Sequence, residues 1–258
     1  MNKSVGFIGG GRIARILLAG LNRCGNLPSQ VVVSDVNPQP LEKLKSLVPG
    51  IKTVVNGNKD AAVADIVFLA LHPPAIASAA SEIKTVLKSE AILISLAPKI
   101  TMARLKDMLD GFDRLVRMIP NACSIVNSGY NPICFSSAIS ESEKQELINW
   151  LSGLGECPEV AEEKLEAYAI LTGMGPTYFW FQWVELVELG KSFGLTAEEA
   201  SDGVRKMLVG AVRTLFESGL PPDDVIDLIP AKPLSEEEQQ IRTAYQQRLT
   251  ALYQRLKP

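Results

Sequence analysis

The tightest constraint on this chain is a run of glycines placed where a strand gives way to a helix. Ser4-Val5-Gly6-Phe7-Ile8 reads as a short buried strand. Gly9-Gly10-Gly11-Arg12-Ile13-Ala14 follows, and Ile13, Ile16, Leu17 and Leu21 recur at helical spacing through Cys24. The run fits G-x-G-x-x-[G/A], and its place between strand and helix inside a βαβ unit is what gives that pattern meaning. Gly9 permits the tight turn, Gly11 lets the backbone approach a pyrophosphate, and Ala14 lets the helix pack on its strand. Free N–H groups at the helix start, around Arg12 and Ile13, then face the phosphates with the positive end of the helix dipole.

The next strand, Val31-Val32-Val33, ends at Ser34-Asp35-Val36-Asn37. Asp35 stands where a carboxylate accepts hydrogen bonds from the adenosine ribose hydroxyls and repels a 2′-phosphate. The cofactor expected is NAD(P)H, with NAD slightly favoured; Arg12 as a phosphate partner keeps NADP open. Leu41, Leu44 and Leu47 mark a second helix, and Ile66 to Leu71 a strand stopped by Pro73 and Pro74. Ala70, Leu71, His72 and Pro73 fall beyond the carboxyl end of that strand, where ligands bind in open α/β sheets. They are assigned to the cofactor, and His72 is also a candidate proton donor.

Ile92–Ser95 and Leu115–Met118 read as further strands, with Ile133–Phe135 and a strand near Val160 completing the sheet. Strands this apolar belong to a parallel sheet covered on both faces. From Glu162 onward strand signals vanish and helical ones persist. The expected architecture is therefore α/β: a Rossmann dinucleotide-binding domain over residues 1–161 and an all-helical domain over 162–258. Ser140-x-x-Glu143, Thr196-x-x-Glu199 and Ser235-x-x-Glu238 read as capping boxes. Tyr178-Phe179-Trp180-Phe181-Gln182-Trp183-Val184 is apolar all round, so it is either a central core helix or an intimate subunit interface.

Composition narrows the function. A 258-residue chain with 47% hydrophobic residues, 21% charged residues and a net charge of −3 is an ordinary globular protein without the basic footprint of nucleic-acid binding. No apolar run approaches the roughly 18 residues of a membrane span. The first strand leaves no room for a signal peptide, so a cytoplasmic protein is expected. Cys24, Cys123, Cys134 and Cys157 form no CxxC pair, and His72 is the single histidine, so no metal site is expected.

Five segments in register give a more specific likeness: Phe7-Ile8-Gly9-Gly10-Gly11-x-x-Ala14; Ala70-Leu71-His72-Pro73; Arg117-Met118-Ile119-Pro120-Asn121; Leu171-Thr172-Gly173-Met174-Gly175-Pro176-Thr177-Tyr178; and Glu217-Ser218-Gly219 with Pro222 and Asp227. Over residues 4–229 the chain resembles the pyrroline-5-carboxylate reductase family, which reduces a cyclic imine to proline with NAD(P)H. The resemblance implies a homodimer, or a higher homo-oligomer, joined through the C-terminal helices, with a small-molecule substrate in the cleft between domains. Asn121 and Thr172 become candidates for polar contacts there, beside His72 as donor; a capping hydroxyl is the plainer role for Thr172.

The substrate half departs from the family. Where the family carries Ser-Pro-Gly-Gly-Thr-Thr against the substrate carboxylate, this chain reads Ile229-Pro230-Ala231-Lys232-Pro233-Leu234; Met174 replaces a Ser, His72 a Lys, and Ala122-Cys123 a Thr-Pro. Two alternatives follow: a reductase of a different imine or carbonyl compound, and a non-catalytic dinucleotide-binding dimer. Hydride exchange between NADP and a deazaflavin rests on the shared N-terminal fold alone.

Overall fold

Strands and helices alternate from the start because apolar runs of four or five residues are punctuated by glycine, proline and capping residues. The computed structural model describes residues 3–257. In chain order, β1 (Val5–Ile8), α1 (Arg12–Arg23), β2 (Val31–Asp35), α2 (Pro38–Leu47), β3 (Lys52–Val55), α3 (Asn58–Ala62), β4 (Ile66–Leu69), α4 (Pro73–Ile83), β5 (Ile92–Ser95), α5 (Met102–Met108) and β6 (Leu115–Met118) form the repeating part. After them come β7 (Gly129–Tyr130), β8 (Ile133–Phe135), α6 (Glu141–Leu151) and β9 (Gly155–Glu156). The main sheet runs β3-β2-β1-β4-β5-β6-β8, parallel except for β8, which lies antiparallel to β6. β7 and β9 pair separately.

β1, β4, β5 and β6 are buried at every residue, as strands covered on both faces must be. Their side chains alternate between two cores. Phe7, Phe68, Ile94 and Val116 join Leu17, Leu21 and Trp150 on one face, while Ile8, Val67, Leu69 and Leu93 join Ile76, Ile83 and Leu105 on the other. Phe7 and Phe68 are register partners whose rings stack at 4.5 Å, and Trp150 tilts onto Phe68 at 6.2 Å. Each such side chain contributes about 1.5–3 kcal/mol by leaving water.

Three local expectations change. β3 was not anticipated: its residues are exposed or half-buried, so an edge strand leaves no apolar run to read. The strand expected near Val160 reduces to one bridge between Ile133 and Glu159, beside Pro158, which has no N–H to extend a ladder. The capping boxes at Ser140 and Thr196 form, heading α6 and α9 (Ala197–Glu217). Ser235, by contrast, is itself the first residue of its helix, and Glu238 accepts from Arg242 instead.

Contacts divide the chain into two compact units, Met1–Met174 with Leu252–Pro258, and Gly175–Ala251. Residues 162–174 fall in the first. They comprise α7 (Leu165–Tyr168) and a π-helical turn, Ala169–Gly173. A buried ion triad ties them to β6. Arg117, 1% exposed, donates to Glu162 at 2.9 Å and to Glu166 at 2.6 Å. The same carboxylates accept from the N–H groups of Met102 and Lys99. A charge this deep is tolerated only when paired, here through both Nη atoms of the guanidinium, while its Nε is buried without a partner.

The second unit carries α8 (Trp180–Ser192), α9, α10 (Pro222–Asp227) and most of α11 (Ser235–Leu256). α8 and α9 meet where an added Cβ on Gly190 would touch Ala200. No residue of α8 is buried, so the core-helix reading of Tyr178–Val184 does not hold within one chain. Phe181, Val184, Val212 and Phe216 are all more than half exposed. No helix among the described residues is long and apolar enough to cross a membrane.

Candidate dinucleotide and acceptor site

The strand order reverses between β1 and β4, and a cavity of about 860 Å³ opens at the carboxyl ends of these strands. The glycine turn after β1 forms one wall. Gly9 holds φ +101°, and a Cβ there would stand 2.4 Å from the carbonyl oxygen of Ala70. Gly10 faces the Leu41 side chain, which a Cβ would meet at 2.8 Å. Gly11 differs: its backbone is extended, and nothing lies within 4 Å of an added Cβ. The fold therefore requires glycine at 9 and gains nothing from it at 11. Bare backbone beside open space, at a helix start with no side-chain cap, suits an anion held by N–H groups.

The structure gathers most of the expected cofactor residues. Gly9, Gly10, Gly11, Arg12, Ile13, Asp35, Ala70, Leu71, His72 and Pro73 all line the cavity. Ala14 does not, being fully buried on the core face of α1. Asp35 already serves the backbone: its carboxylate accepts from Gly10 N–H and from Asn37 N–H, each at 2.8 Å. A carboxylate has lone pairs to spare for a diol, so it can buttress the turn and still accept from a ligand. His72 caps α4 with extended backbone, which Pro73 at the next position requires, and its ring is exposed at the rim.

Asn121 and Thr172 are brought together, but as scaffold. The Asn121 amide donates to the carbonyl of Thr172, while its oxygen accepts from Cys123 N–H. The Thr172 hydroxyl donates to the Tyr168 carbonyl at 2.9 Å. Neither lines the cavity, and Asn121 is only 6% exposed. The thiols are no better placed for chemistry: burial pushes Cys134 and Cys157 up to about 12, and raises Cys123 as well.

Other lining residues escaped the sequence reading. Arg15, Gln39 and Lys43 line the same cavity as Arg12 and Asp35. Leu96 and Pro98 after β5, Ile119 and Pro120 after β6, and Ala169 and Met174 complete the far wall. The signal available was the strand-end rule already applied to β4; Arg15 lies one helical turn beyond Gly11.

Comparison with known proteins gives this site a lineage. A family model described as NADP oxidoreductase coenzyme F420-dependent matches residues 4–99, the stretch from β1 past β5. The pyrroline-5-carboxylate reductase of Escherichia coli is 24% identical over 230 residues, covering 89% of this chain and 85% of its own. Pyrroline-5-carboxylate reductase 1 of Bacillus spizizenii is 28% identical over 230 residues, covering 88% and 77%. The solved pyrroline-5-carboxylate reductase of Coxiella burnetii matches over 100% of both chains, with a TM-score of 0.76 and 26% identity. This chain is a pyrroline-5-carboxylate reductase-like, NAD(P)-dependent oxidoreductase. Its fold, a Rossmann-type parallel sheet followed by helices, is also that of the Plasmodium falciparum pyrroline carboxylate reductase solved with NADP bound. That match has a TM-score of 0.85 and 20% identity over 99% and 97% of the two chains. The family model stops near β5, whereas the reductases match across both compact units of this reductase-like chain.

Proposed function

We propose that this protein passes a hydride from NAD(P)H to the carbon of a C=N bond in a cyclic imine, giving a cyclic amine. Pyrroline-5-carboxylate, named for its relatives, is the reference substrate, and proline biosynthesis the corresponding role. The observation that carries this reading is the space at Gly11, a glycine the fold itself does not need, at the mouth of the β1/β4 crevice. In it Gly9–Gly11 and the first turn of α1 would hold the pyrophosphate, and Asp35 would accept from the ribose diol. NAD is slightly favoured over NADP on that account, although Arg12, Arg15 and Lys43 attract either.

The bound dinucleotide supplies the hydride. The chain supplies orientation and a proton. The apolar far wall excludes water from the reacting carbon, so the acceptor is held in near-attack geometry. Reduction of C=N also places a proton on nitrogen. His72, exposed at the rim of the cavity, is the proposed donor.

We further propose domains at 1–161 and 162–258, a cytoplasmic location, and a homodimer or larger homo-oligomer formed by the exposed apolar faces of α8 and α9. Light scattering on the full chain tests the assembly: a mass of one chain would refute it.

The function is tested by NADH and NADPH oxidation against cyclic imines and small carbonyl acids, with cofactor binding followed by calorimetry. Oxidation dependent on a cyclic imine supports the reading. Clear NADH binding with no acceptor turned over would favour instead a non-catalytic dinucleotide-binding dimer, a reading supported by the two prolines in the rebuilt Ile229–Leu234 segment.

A further inference from the structure

Two stretches far apart in sequence, the exit of β6 and the π-helical turn Ala169–Gly173, make one piece of the cavity's far wall. Ile119 and Pro120 come from the first, and Ala169, Gly173 and Met174 from the second and its end. They meet closely. A Cβ added to Gly173 would stand 3.2 Å from the Ile119 side chain and 3.6 Å from the Pro120 carbonyl oxygen. Ile119 and Ala169 also share a small buried cluster with Leu165 and Cys134.

The turn is wound one residue wider than an α-helix: Met174 N–H donates to the Ala169 carbonyl, five residues back, at 2.9 Å. Such turns are rare and concentrate at functional sites. Pro176, four residues after Thr172, has no N–H with which to close an α-helical bond on the Thr172 carbonyl. The side-chain amide of Asn121 donates to that carbonyl. Its orientation is fixed. The amide oxygen accepts from Cys123 N–H at 2.8 Å, so the nitrogen faces the turn, and the backbone N–H of Asn121 donates to the Asn131 side chain at 2.8 Å. Arg117, two residues before Ile119, makes a second tie through Glu166 of α7, which leads directly into the turn.

The strand order sets what this wall would face. Asp35 ends β2 and the glycine turn follows β1, so a dinucleotide laid across the crevice carries its second ring past β4 towards the ends of β5 and β6. We propose that Asn121 is a positioning residue for the nicotinamide: by tying the π-helical turn to the exit of β6, it sets the wall against which the ring lies. The inference rests on the dinucleotide reading above and gives one residue of this chain a task within it. Asn121 acts through the turn and not by contact. A wall displaced by about 1 Å misplaces the ring, while the adenosine and pyrophosphate keep their places at β2 and β1.

The test compares NADH with ADP-ribose, which lacks the nicotinamide, as probes for the full chain in calorimetry. Asn121→Asp preserves side-chain size and the acceptor for Cys123 N–H but removes the donor to Thr172. It should lower NADH affinity by about tenfold or more and leave ADP-ribose affinity within about twofold of wild type. Asn127→Asp is the matched control. Asn127 also donates to backbone carbonyls, those of Gly20 and Gly153, and none of the three lines the cavity. Its loss should leave both affinities within about twofold, whatever it costs in Tm.

If Asn121→Asp fails to fold by circular dichroism, Gly173→Ala carries the test. Its methyl presses on Ile119 at 3.2 Å, and a selective loss of NADH affinity of about threefold or more is expected. Equal losses for the two probes, unchanged NADH affinity in the folded variant, or the same selective loss in Asn127→Asp would overturn the proposal and leave dinucleotide binding intact. A wild-type chain that bound NADH no tighter than ADP-ribose would show that no ring rests on this wall. Binding of neither probe would refute the dinucleotide reading itself, and the proposal with it.

Discussion

Replacing Gly11 by valine should abolish dinucleotide binding and spare the fold, whereas replacing Gly9 by alanine should injure the fold first. The contrast comes from two neighbouring glycines with different surroundings. At Gly9 the backbone sits at φ +101°, and a Cβ would lie 2.4 Å from the Ala70 carbonyl oxygen. Backbone strain of this kind costs about 1–3 kcal/mol before the overlap is counted. At Gly11 the backbone has φ −70° and ψ −159°, open to any residue, and no heavy atom lies within 4 Å of the new Cβ. The remaining structural cost is a poorer helix cap, about 1 kcal/mol, or a fall of roughly 2–4 °C in Tm for a chain of this size. The valine methyl groups, however, occupy the space assigned to the pyrophosphate. Calorimetry with NADH should show an affinity loss of at least about 100-fold, which corresponds to about 2.7 kcal/mol. Thermal unfolding of the same samples separates the two variants. If folded Gly11→Val bound NADH within about threefold of wild type, no phosphate would lie against residue 11. If it unfolded as readily as Gly9→Ala, the fold would need glycine there and the argument from empty space would fail.

Asp35→Ala should weaken NADH about tenfold more than NADPH, because only the former's ribose offers a diol; equal losses by calorimetry would mean that Asp35 acts only through its bonds to Gly10 and Asn37. Arg117→Met should destabilise the protein by about 3–5 kcal/mol in denaturant unfolding, since it leaves Glu166 buried without its guanidinium; a loss under about 1 kcal/mol would show that the triad contributes no more than a surface pair. The hydrogen bonds from Lys88 and Ser4 lower Asp65 from its ordinary 3.8 to about 2, so its stabilising effect is complete above the unfolded value and fades as pH falls through the folded one. With the side chain 38% exposed, Asp65→Asn should cost about 1 kcal/mol or less at neutral pH and almost nothing near pH 2; a urea-midpoint difference that persisted near pH 2 would contradict that assignment.

The sheet was legible wherever burial on both faces left an unbroken apolar run, as in β1, β4, β5 and β6, and illegible at β3, whose edge position demands no such run. The glycine turn was legible because its strand-to-helix context is local. The far wall was not: Leu96, Ile119 and Met174 converge from elements far apart in sequence, and their side chains look like ordinary core. The bonds of Asn121 to Thr172 and Cys123 were not legible either, because the contact with Thr172 is made by chain geometry that spacing does not encode. Likewise, the change to helical pattern at Glu162 is visible in sequence, whereas the triad that joins Glu162 and Glu166 to β6 is a long-range contact.

Isotope transfer tests the central claim most directly. NADH deuterated at carbon 4 on the transferred face is incubated with the full chain and pyrroline-5-carboxylate or another cyclic imine that it turns over, and the amine product is weighed by mass spectrometry. The account predicts one deuterium, on the former imine carbon, for each NADH consumed. Product free of label, or NADH bound but never oxidised with any cyclic imine, would contradict it.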